Sequence, residues 1–131
     1  TLPELDPKTS EFLIFHITNA FRASYGLPAL IWNDKLAATA RLHSEDMEKR
    51  KYFSHINPEG LEPHDRIISA GYSAKASAEN IYSDSSGVNP VQAMDAWINS
   101  PGHRTNLLIT VCDELGVGVS GTCATQNFGM K

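Results

Sequence analysis

Four side chains in this sequence have the types that proton transfer, nucleophilic attack or metal binding would use, and all four sit beside turn signals: His55, Glu79, Ser100 and His103. An imidazole, with an ordinary pKa of about 6.5, exchanges protons near neutral pH. A carboxylate can orient it or share a cation with it, and a hydroxyl beside a base becomes a nucleophile. His55 precedes Glu79 by 24 residues, and Glu79 precedes His103 by 24. Such separations identify nothing alone, because functional groups converge in space rather than along the chain. No local signature narrows the choice: HExxH, GxSxG and a phosphate-cradling glycine loop are all absent.

Regular elements must hold these residues in place. A helix is expected from about Ser10, with Phe12, Leu13, Phe15, Ile17, Ala20 and Phe21 at apolar spacing and Gly26 closing it. "LPALIW" then runs extended into Asn33, a cap for the helix "DKLAATARLHSEDMEKRK". There Leu36, Ala40, His43 and Met47 form one stripe, which makes His43 a core histidine, and the alanines suit close packing. "YFSHINPEG" is turn-rich, and a short helix follows from about Pro63 to Ala70. "SAENIY" is a strand carrying Glu79, with Asn80 beside it tying a loop to the sheet. Asn89 and Pro90 start a fourth helix over "VQAMDAWIN". "ELGVGVSGTCATQNFG" reads as a hairpin turning near residues 120–121. Trp97, Tyr72 and Tyr82 are best explained as core, and His16 and His64 stand no higher than surface background. Helices and strands in this order predict an α+β domain, a sheet covered by helices.

Bulk properties exclude several classes. Eleven Lys and Arg against fifteen Asp and Glu leave a net charge of −4, which argues against a nucleic-acid partner. The one basic cluster, Lys49 to Lys51, suits the negative end of a helix dipole. "FLIF" and "ALIW" fall far short of the ~20 apolar residues of a transmembrane segment. The chain begins at Thr1 rather than methionine, so either a processed form or a recombinantly expressed piece is expected, and any signal or lipid anchor would lie upstream. Cys112 and Cys123 lack CxxC spacing and make neither a zinc knuckle nor a redox motif. They are either two small buried thiols or one disulfide, and the disulfide is the expectation, in keeping with an exported protein.

At these same residues the sequence resembles a known family. "FSHINPEG", "AENI", "AWINSPGHRTNLL" and "LGVGV" followed by "TQNFG" are similar to the bacterial branch of the CAP superfamily (cysteine-rich secretory protein, antigen 5, pathogenesis-related 1), also called the SCP domain. The likeness extends over about residues 10 to 129, so residues 1–131 are expected to be a single CAP/SCP domain with residues 1–9 as an N-terminal extension. It implies a three-layer α–β–α sandwich with a central antiparallel sheet, and a cleft lined by two histidines and two acidic residues.

Carried over, the resemblance places the cleft at His55, Glu79 and His103. The fourth position, a glutamate in many relatives, is Ser100 here, so the tetrad is incomplete. His55, His103 and Glu79 would be a His₂Glu set for Zn²⁺ or another divalent metal, with His55 and His103 as the metal ligands. Pro101 and a positive-φ Gly102 would aim His103 toward His55. Candidates for catalysis are Glu79, Ser100 and His103. Loss of the second carboxylate favours binding over an enzyme, the alternative being a metal-dependent or serine-type hydrolase in the same cleft. The implied protein is extracellular or at the cell surface, a monomer or weak dimer. Its ligand would be a host or cell-surface molecule or a small lipid, and the short, polar segment 73–90 weakens the lipid case.

Overall fold

In the computed structural model, which describes residues 5–131, α1 (Pro7–Ser24) starts earlier than expected. Its cap is Asp6, whose carboxylate accepts from the Thr9 backbone N–H, with Pro7 at the first helical position. Pro7, Lys8 and Thr9 therefore belong to α1; Thr1 to Glu4 lie outside the described residues. Gly26, at φ +74°, closes the helix. β1 (Ile31–Trp32) leads into Asn33, whose side chain accepts from the N–H groups of Lys35 and Leu36 and starts α2 (Asp34–Arg50). Leu36, Ala40, His43 and Met47 are all buried, as their spacing predicts. α3 (Pro63–Ser69) and β2 (Ala76–Ser83) follow, and Asn89 and Pro90 open α4 (Pro90–Ile98).

The sequence-based expectation at Ser100-Pro101-Gly102 needs correction. Gly102 has no positive φ and does not swing the chain; it is helical. Ser100 is the N-cap and Pro101 the first residue of α5 (Pro101–Leu107). Proline at the first turn has the φ a helix needs and lacks an N–H that would be orphaned there anyway. The stiff stretch is a helix start, not a hinge.

β3 (Glu114–Val119) and β4 (Cys123–Met130) form the expected hairpin, and the sheet order is β1-β3-β4-β2. All pairings are antiparallel except that of β1 with β3, which is parallel. α1, α4 and α5 cover one face and α2 and α3 the other, a three-layer α–β–α sandwich. Alternation along β3 sets the layers: Leu115, Val117 and Val119 join Ile14, Met94, Trp97 and Phe128 in the main core. Gly116 and Gly118 face α2 so closely that a Cβ would lie 2.0 Å from the backbone nitrogens of Ala37 and Arg41.

The expected disulfide is not formed: Cys112 and Cys123 are free, buried thiols. The register explains this. Cys112 precedes the start of β3, whereas Cys123 begins β4 beside the end of β3, where Val119 pairs with Ala124. The five steps from Glu114 to Val119 alone span roughly 17 Å. A disulfide requires Cα atoms within about 7 Å. Burial also raises both thiol pKa values, Cys112 to about 11.

Candidate functional site: a histidine pair at the sheet edge

β2 is an edge strand, and two consecutive polar residues in its middle face opposite layers. Glu79 points to the α2/α3 side, where its side chain is 1% exposed. Its Oε1 accepts from His55 Nδ1 at 2.7 Å. The Arg66 guanidinium, brought by α3, donates to Oε2 at 3.1 Å and to Oε1 at 3.3 Å. Asn127, the cross-strand partner of Glu79, donates to Oε2 at 3.0 Å with its amide nitrogen turned to the carboxylate. Arg66 Nη2 also donates to the His55 carbonyl at 2.6 Å. His55 is thus gripped by ring and backbone at once, while its side chain stays 48% exposed.

Asn80 points the other way. Its amide donates to the His103 carbonyl at 3.2 Å and to Gln126 Oε1 at 3.1 Å, and accepts from Asn106 at 3.0 Å. Gln126, opposite Asn80 on β4, donates in turn to Thr18 of α1 at 2.9 Å. Asn80 ties α5 to the sheet, a helix where a loop was expected, and α5 carries His103. His103 Nδ1 and Ser100 Oγ are hydrogen-bonded at 2.8 Å. Burial lowers the His103 pKa below its ordinary 6.5, and the nearby charge of His55 lowers it further.

The structure therefore brings His55 and Glu79 into contact, and separately Ser100 and His103. It does not join all four. Glu79 orients His55, so a Ser100–His103–Glu79 triad is not assembled, and among the described residues no carboxylate is hydrogen-bonded to His103. Nor is a His₂Glu set for a divalent metal assembled. No three His, Cys, Asp or Glu side chains among the described residues converge as a metal site, and both Glu79 oxygens are engaged by a cationic arginine. Arg66, Asn106, Gln126 and Asn127 were not singled out from sequence. The available signal was the Glu79-Asn80 pair, two polar residues side by side in an otherwise part-apolar strand, each needing buried partners on its own face.

A three-layer α–β–α sandwich is the architecture the sequence motifs implied, and comparison with known proteins agrees. Residues 15–130 match the CAP (cysteine-rich secretory protein) family, and the chain belongs to that superfamily as a bacterial-type member. Among relatives, it is 38% identical over 120 residues to the uncharacterized membrane protein YlbC of Bacillus subtilis, covering 92% of this chain and 34% of that protein. It is 38% identical over 117 residues to the uncharacterized protein YkwD of the same organism, covering 88% and 45%. The chain thus spans less than half the length of either relative. An extracellular SCP-domain protein from Bacillus anthracis superposes with TM-score 0.91 at 35% identity, over 100% of this chain and 45% of that one. An outer surface protein from Borrelia burgdorferi shares the fold, with TM-score 0.88 at 21% identity over 100% and 99%.

Proposed function

We propose that this chain is an exported or surface-exposed CAP domain that acts by binding, with the exposed edges of His55 and His103 as its contact groups and a host or cell-surface molecule as its partner. The observation that carries this is the engagement of Glu79. A carboxylate buried under Arg66, His55 and Asn127 holds a histidine in place, and has no free lone pair directed at a metal or a reacting water. Two positioned imidazoles that can each donate or accept then serve as recognition groups.

Supporting the location, one solved relative is described as extracellular and another as an outer surface protein, while a curated relative is called a membrane protein. No helix among the described residues is long and apolar enough to cross a membrane. A lipid partner is less well supported, because much of segment 73–90 is strand β2 rather than a mobile apolar loop.

Retention of the fluorescently labelled chain on intact bacterial and animal cells tests the proposal. A folded His55→Ala/His103→Ala double variant should lose about tenfold or more in apparent affinity, the equivalent of ~1.4 kcal/mol. Equal retention of the variant overturns it. So does peptide or ester hydrolysis by the parent chain that disappears in Ser100→Ala.

A further inference from the structure

β2 borders the sheet, pairing only with β4, and its outer edge is closed along part of its length. At Asp84 the N–H donates to the Thr122 carbonyl, which fixes the alternation along the strand. Ala78, Asn80 and Tyr82 bond β4, and the N–H and C=O groups of Ser77, Glu79 and Ile81 point outward. Two of those carbonyls are taken. Trp97 Nε1 of α4 donates to the Ile81 carbonyl at 3.0 Å, and Asn106 of α5 donates to that of Glu79 at 3.2 Å. Before them the edge opens. Ser77 and Ala78 are half-buried, and the Ser77 N–H and C=O and the Glu79 N–H meet no partner among the described residues. Glu79 is 6% exposed as a residue while its side chain is 1% exposed, so what reaches solvent there is main chain. Sheet edges are ordinarily blocked by lysine, proline, a bulge or a covering element, because they pair readily with other chains.

Histidines surround this opening. On the α3 side, His64 Nδ1 is hydrogen-bonded to Ser77 Oγ at 2.8 Å and His55 Nδ1 to Glu79 Oε1 at 2.7 Å. Ser77 and Glu79 lie two residues apart on one face, so the two rings are anchored about 7 Å apart along the strand. His103 stands on the other side on α5, the helix whose Asn106 reaches the Glu79 carbonyl. His64, no more than surface background in the sequence, joins the site here.

We infer that the β2 edge from Ser77 to Glu79 receives an extended segment of another polypeptide, which adds its main chain to the sheet between His64 and His55 on one side and His103 on the other. The free groups run donor, acceptor, donor at the repeat of a strand. Another extended peptide complements that order, one of its residues closing two bonds at once. Sugars and lipid headgroups carry no N–H and C=O groups at that repeat. Past Glu79, Asn106 and Trp97 occupy the carbonyls, so the paired stretch is short and ends at the histidine cleft. With Nδ1 engaged, each ring keeps Nε2 for a polar side chain of the guest. This occupant rests on the reading of the cleft as a binding surface and specifies what is bound there.

Titration of the ¹⁵N-labelled chain with the capped pentapeptide Ac-Thr-Val-Thr-Val-Thr-NH₂ tests it. Saturable shifts are expected at the amides of Ser77, Ala78 and Glu79 and at the His55 and His64 rings. The same peptide N-methylated at its three central residues should bind about tenfold or more weakly, because main-chain N–H groups carry the pairing. Ser77→Pro removes an outward N–H from an edge strand, where proline is tolerated, and should weaken binding to a similar degree. Ser77→Ala, which keeps the N–H, should restore it. No saturable shift, shifts confined to other surfaces, equal binding of the N-methylated peptide, or parent-like binding by folded Ser77→Pro overturns the proposal. So does concentration-dependent broadening of the Ser77 to Glu79 amides without peptide, which assigns the edge to a second copy of the chain. Cell retention that needs His55 and His103, with no peptide bound by the parent, overturns this occupant alone. Peptide binding by the parent, with unaltered cell retention of the His55→Ala/His103→Ala variant, overturns the proposed function alone.

Discussion

Glu79 and Arg66 show how one buried pair can carry the geometry of a site. The carboxylate is 1% exposed and the guanidinium 8%, so neither ion recovers its hydration. Each depends on the other, and on Asn127 and the His55 ring and carbonyl, for compensation. A buried pair adds little net stability compared with apolar residues of the same size, but removal of one member strands the other charge. Glu79→Gln keeps the shape and removes the charge. It should destabilise the fold by roughly 3–5 kcal/mol, seen as a lower urea midpoint with an unchanged slope. Pairing it with Arg66→Met should restore a large part of that loss. A single-variant loss below about 1 kcal/mol would show that the pair is more hydrated than its burial indicates.

Elements add constraints that single residues do not reveal. Gly102 and Gly118 are both glycines in regular structure, yet opposite outcomes are expected from the same substitution. Gly102 sits in the first turn of α5 without positive φ, and an added Cβ meets nothing within 4 Å. Gly102→Ala should stabilise the domain by about 0.5–1 kcal/mol by restricting the unfolded chain. At Gly118 the added Cβ falls 2.0 Å from the Arg41 nitrogen, and α2 would have to lift off the sheet. Gly118→Ala should cost about 3 kcal/mol or more. Thermal unfolding of the two variants side by side checks both signs.

The same contrast explains what could be read in advance. Asn33, Asn89 and Pro90 mark helix starts through contacts within three residues, so their roles were legible. Ser100-Pro101-Gly102 carries the same kind of local signal, but its proline also reads as a helix breaker, and the short α5 was missed. The parallel pairing of β1 with β3 and the meeting of Arg66 and Asn127 over Glu79 depend on segments far apart in the chain. His55, Glu79 and His103 were recognised through family motifs, and no periodicity pointed to them. The Cys112–Cys123 disulfide failed for a related reason, since composition and the fit to an exported protein say nothing about which ends of a hairpin two cysteines occupy.

Across the whole molecule, two histidines on opposite sides of the sheet link folding to pH. His43 lies in the α2 layer with Nε2 donating to the Ser54 carbonyl at 2.9 Å, and its pKa is lowered chiefly by burial. His103 lies in the α5 layer, lowered by burial and then by the charge of His55. For both, the folded value lies below the ordinary 6.5, so the unfolded chain takes up protons first as pH falls. Stability from these rings is fully present above pH 6.5 and declines as pH drops through that value toward the folded pKa, by at most about 1.4 kcal/mol per pH unit for each ring. Asp46 and Glu59 do not confuse the window. Their pKa values are held below the ordinary 3.8 and 4.5 chiefly by hydrogen bonds from Arg50, so their contribution is lost only at lower pH. The urea midpoint should therefore fall between pH 7.5 and 5.5, and His43→Gln and His103→Gln should each flatten the fall. In a proton NMR titration His103 should titrate below 6.5, and His55→Ala should move its midpoint upward by removing the neighbouring charge. A midpoint that holds or rises toward pH 5.5 would mean that the folded protein accommodates both imidazolium ions, contrary to the burial of the two rings.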